Sequence, residues 1–413
     1  MVTKKTEIGV LPSDWSVVTL LDCLCGKPSY GINAPAIAYS PQKPRYIRIT
    51  DITEAGTYSK RSPASVEDVN IDRYYLKEND IVLARTGASV GKSYLYQKDD
   101  GNLVYAGFLI KASINDIVAD ARYVFACLHT QRYWQWVNTV SVRSGQPGIN
   151  GEEYSAYLLP LPSRTEQTAI ADAISDTDRL ISSLQKLIEK RKAIKQGAMQ
   201  ELLTGKKRLP GFYGEWKPGV WKDVLAGFYS GATPYRGRAD YYKGNIRWVS
   251  SGELNYNIIK DTIEHISEKA KSETSLIVHP AGTFLMAITG LEAAGTRGSC
   301  AILGKDATTN QSCMAIYGTD KMIIPYLYHY YLLNGEELAF QYCQGTKQQS
   351  YTAAIVKELP IYYPCDIVEQ QAIAQILSDM DSEIKQLEKK LAKYQQIKQG
   401  MMQELLTGRI RLL

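Results

Sequence analysis

The sequence predicts an α+β multidomain protein in which two mixed α/β domains are separated by two long antiparallel coiled-coil helices, as a pseudo-twofold internal repeat. Three observations lead there. The chain has 413 residues, too many for one ordinary hydrophobic core. Residues 163–209 (SRTEQTAIADAISDTDRLISSLQKLIEKRKAIKQGAMQELLTGKKRL) recur without a gap at 366–412 (DIVEQQAIAQILSDMDSEIKQLEKKLAKYQQIKQGMMQELLTGRIRL), and about 25 of some 44 positions from Glu166 to Leu209 are identical to those 203 residues on. The segments ahead of each copy share a plan of short strands, a helix and a Gly-rich loop, but little identity. The implied domains are 1–162, a central long helix 163–207, a second domain 208–365 and a C-terminal long helix 366–413.

In chain order, LPSDW at 11–15 is an extended turn followed by the apolar run Val17–Leu24. Tyr46–Ile49 and Asp80–Leu83 read as strands from their β-branched and aromatic content, with Tyr94–Tyr96 and Leu103–Lys111 continuing the sheet. Residues 120–138 carry apolar side chains at helical spacing, and the loop SGQPGINGEE and the segment LLPLP lead to the first long helix. After the turn-rich LPGFYGEW the plan returns. Arg247–Ser250 stands for Tyr46–Ile49, Thr283–Leu285 for Ile81–Leu83, and Ile324–Leu338 for the helix at 120–138.

The long helices have start and stop signals. Ser163-x-x-Glu166 and Asp366-x-x-Glu369 are capping-box patterns, and Thr204-Gly205 and Thr407-Gly408 supply the glycine of a left-handed C-terminal turn. Ile373, Leu377, Met380, Ile384, Leu387, Leu391 and Tyr394 follow the 4-3 spacing of a coiled-coil seam. Ile170, Ile174, Ile181, Leu184 and Ile188 lie on the same seam, interrupted by Thr177 and Arg191. At 1.5 Å per residue such a helix spans roughly 57 Å, more than one small domain can cover. The other copy, packed antiparallel, is the economical partner, and a coiled coil between two chains is the alternative.

Polar residues recur too. Glu166, Gln167, Lys195, Gln196, Gln200, Glu201 and Arg208 return as Glu369, Gln370, Lys398, Gln399, Gln403, Glu404 and Arg411. Read as lying off the seam, they point to one outside partner docked twice, while the divergent domains point to two different objects being bound.

Composition excludes several classes. No apolar run approaches the ~20 residues of a membrane span, and the start MVTKKTEIGVLPSDW lacks the apolar core of a signal peptide. Seven scattered cysteines without a C-x-x-C pair read as buried thiols in a reducing cytoplasm rather than a zinc site. The net charge of +5 is shared evenly by the halves, which permits nucleic-acid binding without arguing for it. TGASVGKS at 86–93 is one residue short of a phosphate-binding P-loop and has no helix after it, so it reads as a Gly-rich hairpin. No G-x-G-x-x-G follows a strand, no amino-methyltransferase tetrapeptide is present, and no histidine has an obvious nucleophile beside it. The chain reads as non-catalytic and without a cofactor or metal of its own.

What both domains do carry is loops mixing Arg, Lys, Gln, Asn and Gly, the residue types that contact phosphates and base edges. In the first they are Lys43, Arg45, Arg48, Arg85, Ser89, Lys92, Arg143, Gln146 and Asn150. In the second they are Tyr235, Arg236, Arg238, Arg247, Arg297, Asn310, Gln311, Lys347, Gln348 and Gln349.

With LPSDW, SGQPGIN…LPLPSRTEQ…IADAISDTD…LLTG, and then W-x-x-G…TNQSCMAI…LPIYYPCDIVEQQAIAQILSDMD…LLTG, the chain resembles, over essentially its whole length, the specificity subunits of Type I restriction-modification systems. The resemblance implies two target-recognition domains, each reading one half of a bipartite asymmetric sequence in double-stranded DNA. It implies helices that act as spacers and dock two modification (methyltransferase) subunits, with S-adenosylmethionine held by those subunits. Separate restriction (motor/nuclease) subunits join for cleavage, and the complex is cytoplasmic with no role at a membrane. Groove contacts are expected from loops and strands, since no helix-turn-helix is evident. The alternative is a non-enzymatic coiled-coil scaffold that binds protein partners, without DNA sequence specificity.

Overall fold

The computed structural model describes residues 2–142, 147–291, 297–345 and 349–412. The chain divides into two compact units, residues 1–185 with 389–413, and residues 186–388. Each unit therefore owns part of both long helices, Arg164–Leu202 and Ile367–Leu405, of 39 residues apiece.

In the first unit a four-stranded antiparallel sheet runs in the order Ser29–Tyr30, Leu109–Ser113, Asp80–Ala84, Ser93–Leu95. A second sheet has the order Leu103–Tyr105, Arg45–Ile47, Ala64–Ser65, Ile37–Ala38, its first pair parallel. The run 103–111, expected as one strand, is thus two strands in different sheets. The chain changes sheet at Gly107, where a Cβ would stand 3.1 Å from the Ile32 carbonyl oxygen. The helix expected at 120–138 is likewise two, Ala121–Cys127 and Gln131–Val140. Thr130 breaks it, because its side chain accepts from the Tyr133 N–H and starts a new helix, as Asp120 starts the first by accepting from the Arg122 N–H.

The second unit repeats the order. Ala226–Ser230, Cys313–Tyr317, Phe284–Ala287 and Cys300–Leu303 form an antiparallel sheet, extended by Asn257–Ile259 in parallel. Ile246–Val249 pairs parallel with Thr308–Thr309, as Arg45–Ile47 does with Leu103–Tyr105. One helix, Ile324–Tyr342, replaces the broken pair.

The starts of the long helices are buried. Glu166 and Gln167 are each 1% exposed, and Glu369 and Gln370 are 0% exposed. Gln167 accepts from the Asp120 N–H (2.9 Å) and donates to the Pro162 carbonyl (3.0 Å). Gln370 accepts from the Ile323 N–H (3.0 Å) and donates to the Pro364 and Lys321 carbonyls (2.9 and 2.8 Å). Each glutamine thus stitches its helix to the end of the strand before it and to the residue that starts the helix Ala121–Cys127 or Ile324–Tyr342. The capping boxes are half formed. Ser163 and Asp366 accept from backbone N–H groups at 166 and 368, but the glutamates turn elsewhere.

Those carboxylates meet an arginine beyond the end of the other long helix. In the first unit Glu166 receives Arg411 at 2.5 and 2.8 Å and the Trp15 indole N–H at 3.1 Å, with Arg411 lying over the Trp15 ring. In the second, Glu369 receives Arg208 at 2.7 Å through both Nε and Nη2 and the Trp216 indole at 3.4 Å, with Arg208 over Trp216. The residues leading to each arginine plug the same core. Leu405 and Leu406 are buried in the first unit, and Met199, Leu202 and Leu203 in the second. Gly408 (φ +67°) and Gly205 (φ +70°) turn the chain against Pro12 and Trp216, where a Cβ would come within 2.5 and 3.2 Å.

Within the first unit, residues 389–405 run antiparallel to 164–185. Asp178 pairs with Lys398 at 2.6 Å, and the Thr177 hydroxyl lies 3.6 Å from the Met401 sulfur. Within the second, Lys195 pairs with Asp381 at 2.5 Å and Arg191 with Glu383 at 3.0 Å. The seam residues Ile170, Ile174, Ile181, Leu184, Ile188, Ile373, Leu377 and Ile384 are buried, and Met380, Leu387, Leu391 and Tyr394 are half-buried.

Eight of the recurring polar residues therefore do not present themselves to an outside partner. Glu166, Gln167, Glu369 and Gln370 are satisfied inside the unit that holds them, Arg208 and Arg411 are spent on the two glutamates, and Lys195 and Lys398 are engaged across the helix pair. Extending the 4-3 spacing shows why: 167 precedes 170 by three, and 195 follows 188 by seven, so both lie on the seam rather than off it.

Removing one member of a buried ion pair strands the other. Arg208→Ala is expected to cost the second unit ~3–5 kcal/mol, read as a lower urea midpoint, and Arg208→Lys to recover part of it. A midpoint indistinguishable from the unsubstituted chain would show that Glu369 does not need its arginine. His279 and His329, both 1% exposed in the second unit, have pKa values pushed down from 6.5 to about 4 by burial. The unfolded chain takes up these protons first, so stability present above pH 6.5 is lost as the pH falls toward 4. Urea titrations across that window should show the slope, and it should flatten in the His279→Gln/His329→Gln variant. An unchanged slope would assign it to carboxylates instead.

Candidate nucleic-acid interface

The basic loop residues fall into separate groups on each unit. Lys43, Arg45 and Arg48 surround the strand Arg45–Ile47, whereas Arg85, Ser89, Lys92 and Asn150 gather at the hairpin loop 85–92 that follows the central strand Asp80–Ala84. Arg143 and Gln146 lie outside the described residues, as do Lys347 and Gln348.

Most of the first unit's group already has partners. Lys43 pairs with Glu67, and Lys92 with Glu54 at 2.6 Å. Arg45 donates to the Asp100 carbonyl at 3.0 Å and lies over Tyr39. Arg48 forks onto the buried Asp51 at 2.8 and 2.9 Å and donates to the Ser62 carbonyl, and Asp51 raises its pKa. Asn150 spends its side-chain oxygen capping the helix Gly151–Ser155, accepting from the N–H groups of Glu152 and Glu153 at 2.9 Å. Arg48 and Asn150 therefore shape loops, and reach DNA only at the cost of that geometry.

Arg85 differs. Its guanidinium lies 4.8 Å from the centre of the Tyr30 ring, and among the described residues no carboxylate or carbonyl pairs with it. Tyr30 and Phe108, which exposes 60% of its surface, complete this patch; neither stood out in the sequence, where 29 tyrosines mask the few that face solvent.

The hairpin itself is no phosphate cradle. Residues 87–89 make a single 3-10 turn and the chain enters a strand at Ser93. Gly91 (φ +86°) lets the hairpin press on the helix Gln131–Val140, since a Cβ there would lie 2.7 Å from Val137, and its carbonyl accepts from the Tyr133 hydroxyl at 2.7 Å.

In the second unit the strand Ile246–Val249 and its neighbours bring together Tyr235, Arg236, Arg238, Arg247, Asn310 and Gln311. Arg236 forks onto Glu264 at 2.6 and 2.9 Å and stacks on Tyr242 and Trp248. Arg238 pairs with Asp240 and Arg247 with Asp261. Thr233 donates to Gln311, and the Asn310 side chain accepts from the Ser312 N–H. Tyr235 projects, 72% exposed. Arg297 and Gln349 stand apart at the hairpin after Phe284–Ala287, where Arg297 donates to the Leu291 carbonyl and to Gln349 and lies over the exposed Phe340. A backbone bridge ties this hairpin to the loop before the next short helix in both units, Thr86 with Gly148 and Thr289 with Ser350.

Among the described residues no group of three His, Cys, Asp or Glu side chains is placed to hold a metal, and no helix is long and apolar enough to cross a membrane.

Two units of one plan, each with its own set of basic loops, match one family model across residues 12–193 and 213–399, that of the type I restriction modification DNA specificity domain. The chain belongs to this family. It is a type I restriction-modification specificity subunit, the non-catalytic, DNA-recognising component of such a system, whose partners are DNA and the methyltransferase and restriction subunits. The specificity subunit of the type I restriction enzyme MjaVIII from Methanocaldococcus jannaschii is 23% identical, covering 97% of this chain and 94% of that protein. The EcoR124I/EcoR124II specificity subunit of Escherichia coli is 21% identical over 60% of this chain and 62% of its own. The solved S subunit of the type I system from M. genitalium covers 95% of this chain and 96% of itself at a TM-score of 0.64 and 13% identity. A chain from a structure of type I complex assembly and conformational transition covers 97% and 99% at a TM-score of 0.54 and 14% identity. At these identities the solved structures speak to the two-domain α/β fold of this specificity subunit, and its contacting residues rest on its own geometry.

Proposed function

We propose that each unit reads one half of a bipartite, asymmetric DNA sequence, with residues 1–162 and 208–365 as the two target-recognition domains. The long helices pair as an antiparallel coiled coil with pseudo-twofold symmetry, set the unread spacer between the halves, and dock two modification subunits that carry S-adenosylmethionine. Restriction subunits join that assembly for cleavage. One observation carries this reading: the long helices expose the same residues at matching places, Gln196, Gly197 and Gln200 in one and Gln399, Gly400 and Gln403 in the other, whereas the basic loops differ. Sameness suits one partner bound twice, and difference suits two half-sites. Exchanging residues 208–365 for those of another family member should change one half of the methylated motif and leave the other intact, as read by sequencing methylated adenines in cells that also express the modification subunit. Changes in both halves would overturn the division of labour.

The docking face is narrower than the recurring residues first implied. With the buried residues removed, what remains exposed at matching places is Ile194, Gln196, Gly197, Gln200 and Glu201, with Ile397, Gln399, Gly400 and Gln403. Glu404, half-buried, pairs with Arg409. A Cβ at Gly197 or Gly400 meets nothing within 4 Å, so the chain itself does not require glycine there. Mid-helix glycine costs about 0.5–1 kcal/mol relative to alanine, and its presence twice suits a partner backbone approaching closely. On the first unit this face borders a groove of about 350 Å³ lined by His129, Arg132, Gln399, Met402, Gln403 and Leu406. Gly197→Ala and Gly400→Ala should therefore stabilise the isolated chain by about 0.5–1 kcal/mol each. Gly197→Leu with Gly400→Leu should weaken capture of modification subunits, measured by native mass spectrometry of the co-expressed complex. Full occupancy in the leucine variant would place the docking face elsewhere.

A further inference from the structure

Among the described basic candidates, Arg85 alone presents a guanidinium that no carboxylate or carbonyl engages. An arginine already forked onto a carboxylate must surrender that pair before it can fork onto a base. Arg85 has nothing to surrender.

It is also held in place. Its backbone N–H donates to the Phe108 carbonyl at 3.0 Å, and its carbonyl accepts from the Ile149 N–H at 2.8 Å, which fixes the chain on both sides of the Cα. The platform beneath its side chain is equally tied down. Tyr30 lies in a strand paired with Leu109–Ser113, and its hydroxyl accepts from the Gly151 N–H at 3.1 Å, at the start of the helix that Asn150 caps. An arginine stacked on an aromatic face keeps its planar fork pointing one way and loses little freedom on making two parallel hydrogen bonds. Tyr30 remains 44% exposed and Phe108 60%, so the patch is open to a large ligand.

We propose that Arg85, steadied on Tyr30, is a specificity-determining residue of the first half-site, donating both arms of its fork to O6 and N7 of a guanine in the major groove. This chemistry follows from the fork, because guanine is the base that offers two adjacent acceptors there. The proposal rests on the reading that the first unit binds DNA by sequence.

The test uses the full chain co-expressed with its modification subunit and compares the methylated motifs of the unsubstituted, Arg85→Ala and Arg85→Lys proteins. One guanine of one half-site should become degenerate in both variants, discrimination at that position falling by roughly 5- to 150-fold, with the other half-site unchanged. Lysine keeps the charge but not the fork, so its failure to restore the guanine separates base reading from attraction to phosphate. If a variant methylates too weakly to give a motif, its binding to duplexes carrying each base at each position of the half-site answers the same question. The proposal is overturned if the motif of either variant equals that of the unsubstituted chain. It is equally overturned if binding weakens uniformly for all duplexes while the salt slope drops by about one, the mark of a phosphate contact. If the unsubstituted complex itself yields no recurring motif, the reading of the first unit as a sequence reader fails, a result distinguishable from failure of the Arg85 assignment.

Discussion

Two buried carboxylates set the terms for this protein. Glu166 and Glu369 begin the long helices at sites almost closed to water, where an unpaired negative charge would be prohibitively costly. Neither finds its cation in its own helix. Each accepts an arginine delivered just beyond the end of the other one, with a tryptophan indole on its remaining side. Helix length, the glycine turn at each helix end and the leucines that plug each core follow from that requirement. A helix shortened by a turn would withdraw its arginine by about 5.4 Å from the carboxylate it must reach.

The architecture was legible in the sequence because its signals are local or repeated. A gapless internal match and a 4-3 stripe report long helices directly, and glycines at 205 and 408 report where they stop. The identity of recurring polar residues was legible too, but their direction was not. Gln167 and Lys195 look like surface chemistry until the seam is extended a turn each way, and Glu166 until its arginine is found. Their burial depends on Trp15, Asp120 and Asp381, which are distant in sequence. Two breaks were missed as well. Thr130 interrupts a helix by a local cap that the spacing of apolar residues does not report, and Gly107 sends one apolar run into two sheets through its close approach to the distant Ile32 carbonyl.

The candidate interface was less legible. Arginine, lysine and asparagine in a loop signal nucleic-acid contact by type, but Arg48, Arg236 and Asn150 turn out to hold their own loops in shape. Whether a basic side chain is available depends on the carboxylate across from it, and Asp51, Glu264 and Glu54 could not be matched to their arginines and lysine without the fold. Tyr30 was silent for a different reason: it is one of 29 tyrosines, most of them buried or half-buried. These units resemble many DNA-binding surfaces in being studded with charge, yet most of that charge is internally neutralised. On the reading proposed above, sequence preference falls to a few well-supported contacts, while a broad positive field would favour any DNA.

The crossed arginines also impose an order on synthesis. Glu369 follows Arg208 by 161 residues, so when its helix emerges from the ribosome the cation it needs has long been made. Glu166 precedes Arg411 by 245 residues, and Asp14 and Trp15, which share that arginine, wait longer still. The first unit to be translated is thus the last to be completed. Until residue 411 arrives, its tryptophan, its carboxylate and the cavity meant for Leu405 and Leu406 stand open, and the nascent chain has to keep that apolar surface from aggregating while the rest is made.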